Sequence, residues 1–237
     1  MLTQIFKTAF FVYTKTFKYV LLISLFVNIP KNSMILFMPD RWAINLDILI
    51  QMDVMAMLPF MLISYIISIL FEPLTYAGFT YLARGALADE NLSLTGVLDN
   101  TLLKWPALLA TSLLYYVFLI IGSILIIPAI YVIVVFTFYV MVVVDRDRYG
   151  FAALLESARI VKGNFFKTLL VLMLISVLSM IFGSFVGYTI FFQNDFVNRL
   201  LNIITFTLRD TYVAYFSIVT VMYYFCLTKL KGDANAS

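Results

Sequence analysis

WPALLATSLLYYVFLIIGSILIIPAIYVIVVFTFYVMVVV, residues 105–144, runs from Lys104 to Asp145 without a charged side chain. As a single helix it would be about 60 Å long at 1.5 Å per residue, roughly twice the hydrocarbon thickness of a bilayer. It must therefore fold back on itself. Gly122, Ser123 and Pro128 lie near its middle and weaken or end a helix. The stretch predicts a transmembrane hairpin, with Pro128 at its turn, inside a polytopic all-α membrane protein.

Composition carries the same message across all 237 residues. Hydrophobic side chains make up 63%, charged ones 12%, and mean hydropathy is +1.01. A soluble domain carries about a quarter charged residues. The chain reads as one integral membrane domain, residues 1–237, joined by short polar loops. Histidine is absent, which removes the commonest general base, metal ligand and neutral-pH switch. The single cysteine, Cys226, sits in an apolar run, where a thiol packs as a small hydrophobe. No metal spacing or disulfide framework is present, and no cofactor, catalytic residue or metal ligand is assigned. The net charge of +3 is dispersed and gives no footprint for nucleic acid.

Six spans fit the charge-poor windows. They are residues 17–38 (or 10–29), 54–82, 106–126, 129–144, 168–188 and 212–227. The N-terminal MLTQIFKTAFFVY lacks a small-residue cleavage site and is expected to be retained. With the N-terminus inside, the outer loops carry Lys31, Arg41, Arg199 and Arg209. The rest of the 16 Lys and Arg face inward. The positive-inside rule then places both termini in the cytoplasm.

Two segments read as amphipathic interfacial helices. In residues 151–162, Phe151, Leu154, Leu155, Ala158 and Val161 share one helical face. Glu156, Arg159 and Lys162 lie off it, and Gly163-Asn164 supplies a stop. Residues 2–9 repeat the pattern with Leu2, Ile5, Phe6 and Ala9. Aligning Lys18 with Lys167 pairs Ala9 with Ala158, Val12 with Val161, Phe17 with Phe166 and Leu21 with Leu170. This suggests repeated units starting near residues 1, 95 and 149.

Glu72 is the ionisable residue lying well inside a predicted span, beside Pro73. Such groups are costly in lipid and are functional candidates by default. Two roles stand open for it. It binds a cation, a substrate amine or a proton, or it is a structural carboxyl bonded to Ser64, Ser68, Thr75 or Tyr76. Arg146, Arg148, Arg159, Lys162 and Lys167 form the densest basic cluster, next to Asp145, Asp147 and Glu156. They are candidates for docking on anionic phospholipid or on an acidic partner, and they also suffice to set topology. Gly183 and Gly187 make a GxxxG match, a weak pointer to a homo-oligomer.

The run from Ile124 to Leu174 carries a further pattern. It contains Ile126-Ile127-Pro128-Ala129-Ile130-Tyr131, then Val142 to Asp145, then Ala153, Ser157, Arg159, Lys162, Gly163, Asn164 and Phe165. These resemble the "IIPGIY" turn, "VVVxD" span end and "A…S…R…KGNF" helix of the YciC-like bacterial inner-membrane proteins. The related membrane domain fused to glycerophosphodiester phosphodiesterases shares them. Ala129 departs from the family's glycine. The resemblance implies a six-helix cytoplasmic-membrane protein without a catalytic centre, associated with envelope homeostasis. The leading expectation is a non-enzymatic protein that binds membrane phospholipid or another membrane protein. The alternatives are a small transporter or exporter subunit using Glu72 in a central cavity, and an immunity-type protein against a membrane-active peptide.

Overall fold

The computed structural model describes residues 2–33, 54–90, 93–186 and 195–236, and among them every regular element is helical. The chain order is α1 (Leu2–Ser33), α2 (Val54–Leu87), α3 (Leu94–Leu103), α4 (Trp105–Ser123), α5 (Ile126–Phe136), α6 (Tyr139–Arg146), α7 (Phe151–Val161), α8 (Phe165–Val186) and α9 (Asp195–Ala236). Among the described residues six stretches are long and apolar enough to cross a membrane, with α5 and α6 together making one of them. The protein is a multi-pass helical membrane protein. Its outward apolar side chains, such as Ile120, Leu170 and Met180, are exposed, as suits helices whose solvent is lipid.

The hairpin folds back where the sequence breaks, with a shift in detail. Ile124 and Leu125 make the reversal. Leu125 is extended, and Pro128 is the third residue of α5. A proline is harmless in that first turn, because its missing N–H would have had no helical partner. Gly122 lets α4 and α5 close on each other: a Cβ there would sit 3.3 Å from the backbone of Pro128 and Ala129. At the other end Lys104 ties the two arms together. Its ammonium donates to the carbonyls of Val143 and Val144 at 3.3 and 3.0 Å and to Asp147 at 2.6 Å. A cation over the last carbonyls of α6 also suits the helix dipole.

Residues 137–138 interrupt the second arm, between α5 and α6. The interruption is repaired from outside the hairpin. Ser157 of α7 donates to Val135 O at 2.9 Å and accepts from the Phe138 amide at 3.1 Å. Buried backbone groups left unpaired would cost free energy, so this one hydroxyl stabilises the break. To reach it the chain turns back after α6. Asp147 and Gly150 both have positive φ, 50° and 61°, and the Gly150 amide bonds Thr111 of α4 at 2.8 Å.

Helix α7 therefore lies across the flank of the hairpin. It buries Ala153, Leu154, Ser157, Ile160 and Val161, and it exposes Phe151, Leu155 and Arg159. This buried face is rotated from the one expected. The demand of the broken backbone for Ser157 outweighs the pull of Phe151 and Leu155 toward the core. The N-terminal amphipathic stretch continues unbroken into the first span as α1. The proposed repeat keeps its burial at some positions: Val12 and Val161 are buried, and Phe17, Phe166, Lys18 and Lys167 are exposed. Its conformation differs, because the second copy breaks at Gly163, whose φ is 85°.

The core centres on α2, α6 and α9. Phe79, Leu82, Phe138, Met141, Tyr223 and Tyr224 are among its largest fully buried side chains. Helix α1 packs against α2 and α9, and α8 packs against α9. Gly183 faces α9, with a Cβ position 3.7 Å from Val213. It serves packing within the chain, and Gly187 lies outside the described residues.

Candidate functional site

Each of four helices carries a polar stripe at helical spacing through an otherwise apolar stretch. On α1 it is Ser24, Asn28 and Lys31. On α2 it is Ser68, Glu72, Thr75 and Tyr76. Helix α8 brings Ser176 and Ser179, and α9 brings Asp210, Ser217 and Thr220. These stripes converge on one cavity of about 270 Å³. Residues three, four or seven apart share a helix face, so each stripe points one way. Lipid cannot satisfy polar groups, so they turn toward each other.

Glu72 is exposed, although it lies within the membrane-crossing length of α2. The exposure is to this cavity and to a second one of about 250 Å³, since Glu72 lines both. Tyr76, Ile175, Ser176 and Thr220 are shared in the same way. The carboxylate thus stands at a junction. Pro73 follows directly and is one of two prolines inside α2. It denies the Ile69 carbonyl its helical donor, and one residue on, the Trp105 indole donates to the Leu70 carbonyl at 3.1 Å. Of the partners expected for Glu72, Thr75 and Tyr76 line the first cavity with it, as does Ser217. Ser68 lines that cavity too, while the Ser64 side chain lies outside the described residues.

A second carboxylate reaches the first cavity. Asp210 belongs to α9, which begins well before the expected limit at residue 212. It gathers Lys31 at 3.6 Å, Asn32 at 3.4 Å and Arg209 at 3.2 Å. Asn32 also donates to Thr207 at 3.2 Å. This clasp joins α1 to α9 beside the cavity. Lys31, Asp210 and Glu72 all line this first cavity. Ser24 is fully buried and, among the described residues, its hydroxyl is the buried side-chain polar atom without a hydrogen-bond partner. It lines the first cavity, where a water or a polar solute would satisfy it.

The basic cluster is placed elsewhere and is partly consumed by internal pairing. Arg146 and Arg159 both pair with Glu156, the latter at 3.3 Å. Asp147 pairs with Lys104, and Asp145 accepts from the buried Tyr224 at 2.9 Å. Arg148, Lys162 and Lys167 are exposed. The cluster and Glu72 do not share a site. No group of three or more acidic or cysteine side chains suited to a metal occurs among the described residues.

Lys31, Asn28, Asp210 and the α8 serines were absent from the expected site. The signal for them was present in the spacing 24–28–31, 176–179 and 210–217. It shows only when helical periodicity is sought for polar residues inside the spans. Comparison with protein-family models, curated proteins and solved structures finds no match to this chain.

Proposed function

We propose that this chain is a non-enzymatic bacterial cytoplasmic-membrane protein that binds a small solute at Glu72 and conducts it across the bilayer, alone or as a permease subunit. The observation that carries this reading is the position of Glu72 between two cavities, each bounded by spans. Membrane transporters place their sites near the midplane, often where a helix is weakened, and Pro73 removes a backbone donor from the continuous α2 directly beside Glu72. Six spans and the bias of basic residues support both termini on the cytoplasmic side.

The test is uptake by proteoliposomes holding the full chain. Three labelled probes cover three charge classes: tetraethylammonium, glycerol and acetate. Accumulation of at least one, lost in Glu72→Gln while thermal stability is retained, supports the reading. Equal uptake of all three by wild type and Glu72→Gln overturns it.

A second reading has its own observation. Phe151, Leu155 and Arg159 form an exposed stripe on α7, with Lys162 and Lys167 exposed beyond it. Apolar residues flanked by cations suit the headgroup layer of anionic phospholipid. Retention of phosphatidylglycerol over phosphatidylcholine in native mass spectra, reduced in the triple variant Arg159→Gln, Lys162→Gln, Lys167→Gln, is the expected outcome.

A further inference from the structure

We infer that the second cavity is an aromatic chamber for an organic ammonium ion, with Glu72 as its counter-charge. This rests on the solute-binding reading of Glu72 and names the chemical class of the solute.

The charge of the lining favours a cation. Among the described residues lining this cavity, Glu72 is the one carboxylic acid, and none is a base. A carboxylate in a low-dielectric wall favours a cation strongly. Tyr76, Tyr115, Tyr116 and Tyr139 line the chamber together. Tyrosine faces carry negative potential and attract cations, most of all alkylated ammonium ions that shed water cheaply. A divalent metal ion is a poorer fit, since it favours several carboxylate or carbonyl oxygens and the lining offers one carboxylate, its other polar side chains being neutral hydroxyls.

The rings are also held in place before any ligand arrives. Tyr115 stacks on Tyr139 at 5.1 Å, and Tyr116 meets Tyr115 and Tyr65 edge-on at 5.3 and 5.8 Å. The Tyr139 hydroxyl is bonded to Ser112 at 3.0 Å, so this ring is fixed at its polar end too. Fixed walls lower the ordering cost of binding. The first cavity, with its serines, threonines and the Lys31–Asp210 clasp, offers a polar approach that reaches the same carboxylate.

The test uses the full chain in nanodiscs and equilibrium binding of labelled tetraethylammonium. Saturable binding is expected, displaced by choline and not by glycerol or acetate. Glu72→Gln weakens it at least tenfold. Tyr116→Leu and Tyr115→Leu each weaken it about three- to thirty-fold, the range of a desolvated cation–π contact. Tyr116→Phe, which keeps the ring, weakens it far less than Tyr116→Leu. Circular dichroism and melting confirm that each variant is folded.

Absence of saturable binding to the wild-type protein overturns the inference, whatever the variants do. So does binding that both leucine variants leave unchanged. If glycerol or acetate enters proteoliposomes in a Glu72-dependent way while tetraethylammonium neither binds nor enters, the chamber is refuted and the solute-binding reading stands. If no probe depends on Glu72, both fail.

Discussion

Ser157 shows how much one hydroxyl does in this fold. It satisfies a carbonyl and an amide that the α5–α6 interruption releases. Ser157→Ala keeps the helix propensity and removes both bonds, leaving buried groups unpaired. The expected loss is about 1–3 kcal/mol, read as a lower midpoint in denaturant or thermal melts of the detergent-solubilised protein. Gly122 is the converse case, where the absence of atoms matters. Gly122→Ala inserts a methyl 3.3 Å from the facing backbone, and overpacking of this kind costs about 1–3 kcal/mol. Melting temperature should fall for Gly122→Ala and fall further for Gly122→Val. Glu72 differs from both, because its side chain faces cavities and not a packed neighbour. Its replacement by glutamine should leave stability nearly unchanged and remove function.

At the scale of elements, two ion pairs tie α1 to its neighbours and behave differently. The Lys31–Asp210 clasp is sheltered on one side, with the Asp210 side chain 15% exposed and that of Lys31 38% exposed. Removing Asp210 takes the ion-pair partner from Lys31, whereas removing Lys31 leaves Asp210 with Asn32 and Arg209. Lys31→Met and Asp210→Leu should each lower the melting temperature. The double variant should fall by less than their sum, with a coupling of about 0.5–3 kcal/mol.

Lys15, in the middle of α1, and Asp89, just past the end of α2, meet at 2.5 Å. The hydrogen bond from Lys15, and then its charge, hold the Asp89 carboxyl below its ordinary value of 3.8. Because the folded pKa is depressed, the pair stabilises above that ordinary value, and its effect is lost as pH falls through the folded pKa. Stability should therefore be flat from about pH 5 to 8 with respect to this pair and decline only in stronger acid. Asp89 is exposed and screened by salt, so Asp89→Asn should abolish this acid component while barely moving the neutral-pH melting point.

For the whole molecule, the six candidate spans among the described residues, an even number, predict both termini on the same face. Reporter fusions at residue 1 and residue 237 should report the same compartment, which the positive-inside bias assigns to the cytoplasm. With Cys226 replaced by alanine, a cysteine at Arg148 should react with a membrane-impermeant thiol reagent only from that same face. Reaction from the opposite face would invert the topology.

Class and span number were legible in the chain because lipid imposes a one-dimensional rule. A segment must be long, helical and uncharged to cross, and residues 105–144 obey it openly. The hairpin break and Glu72 were legible for the same reason: proline, glycine and an intramembrane carboxylate stand out against an apolar background. Three features were decided by tertiary packing. The face that α7 buries depends on a backbone break in another helix, which Ser157 repairs. The start of α9 brings Asp210 into the site, because Lys31 and Asn32 of α1 meet it there. The junction at Glu72 exists because four spans turn their polar stripes toward a common space. Periodicity tells a helix which face is polar, but the partner of that face comes from residues far away in the chain. Only the packed bundle brings those partners within a few ångströms.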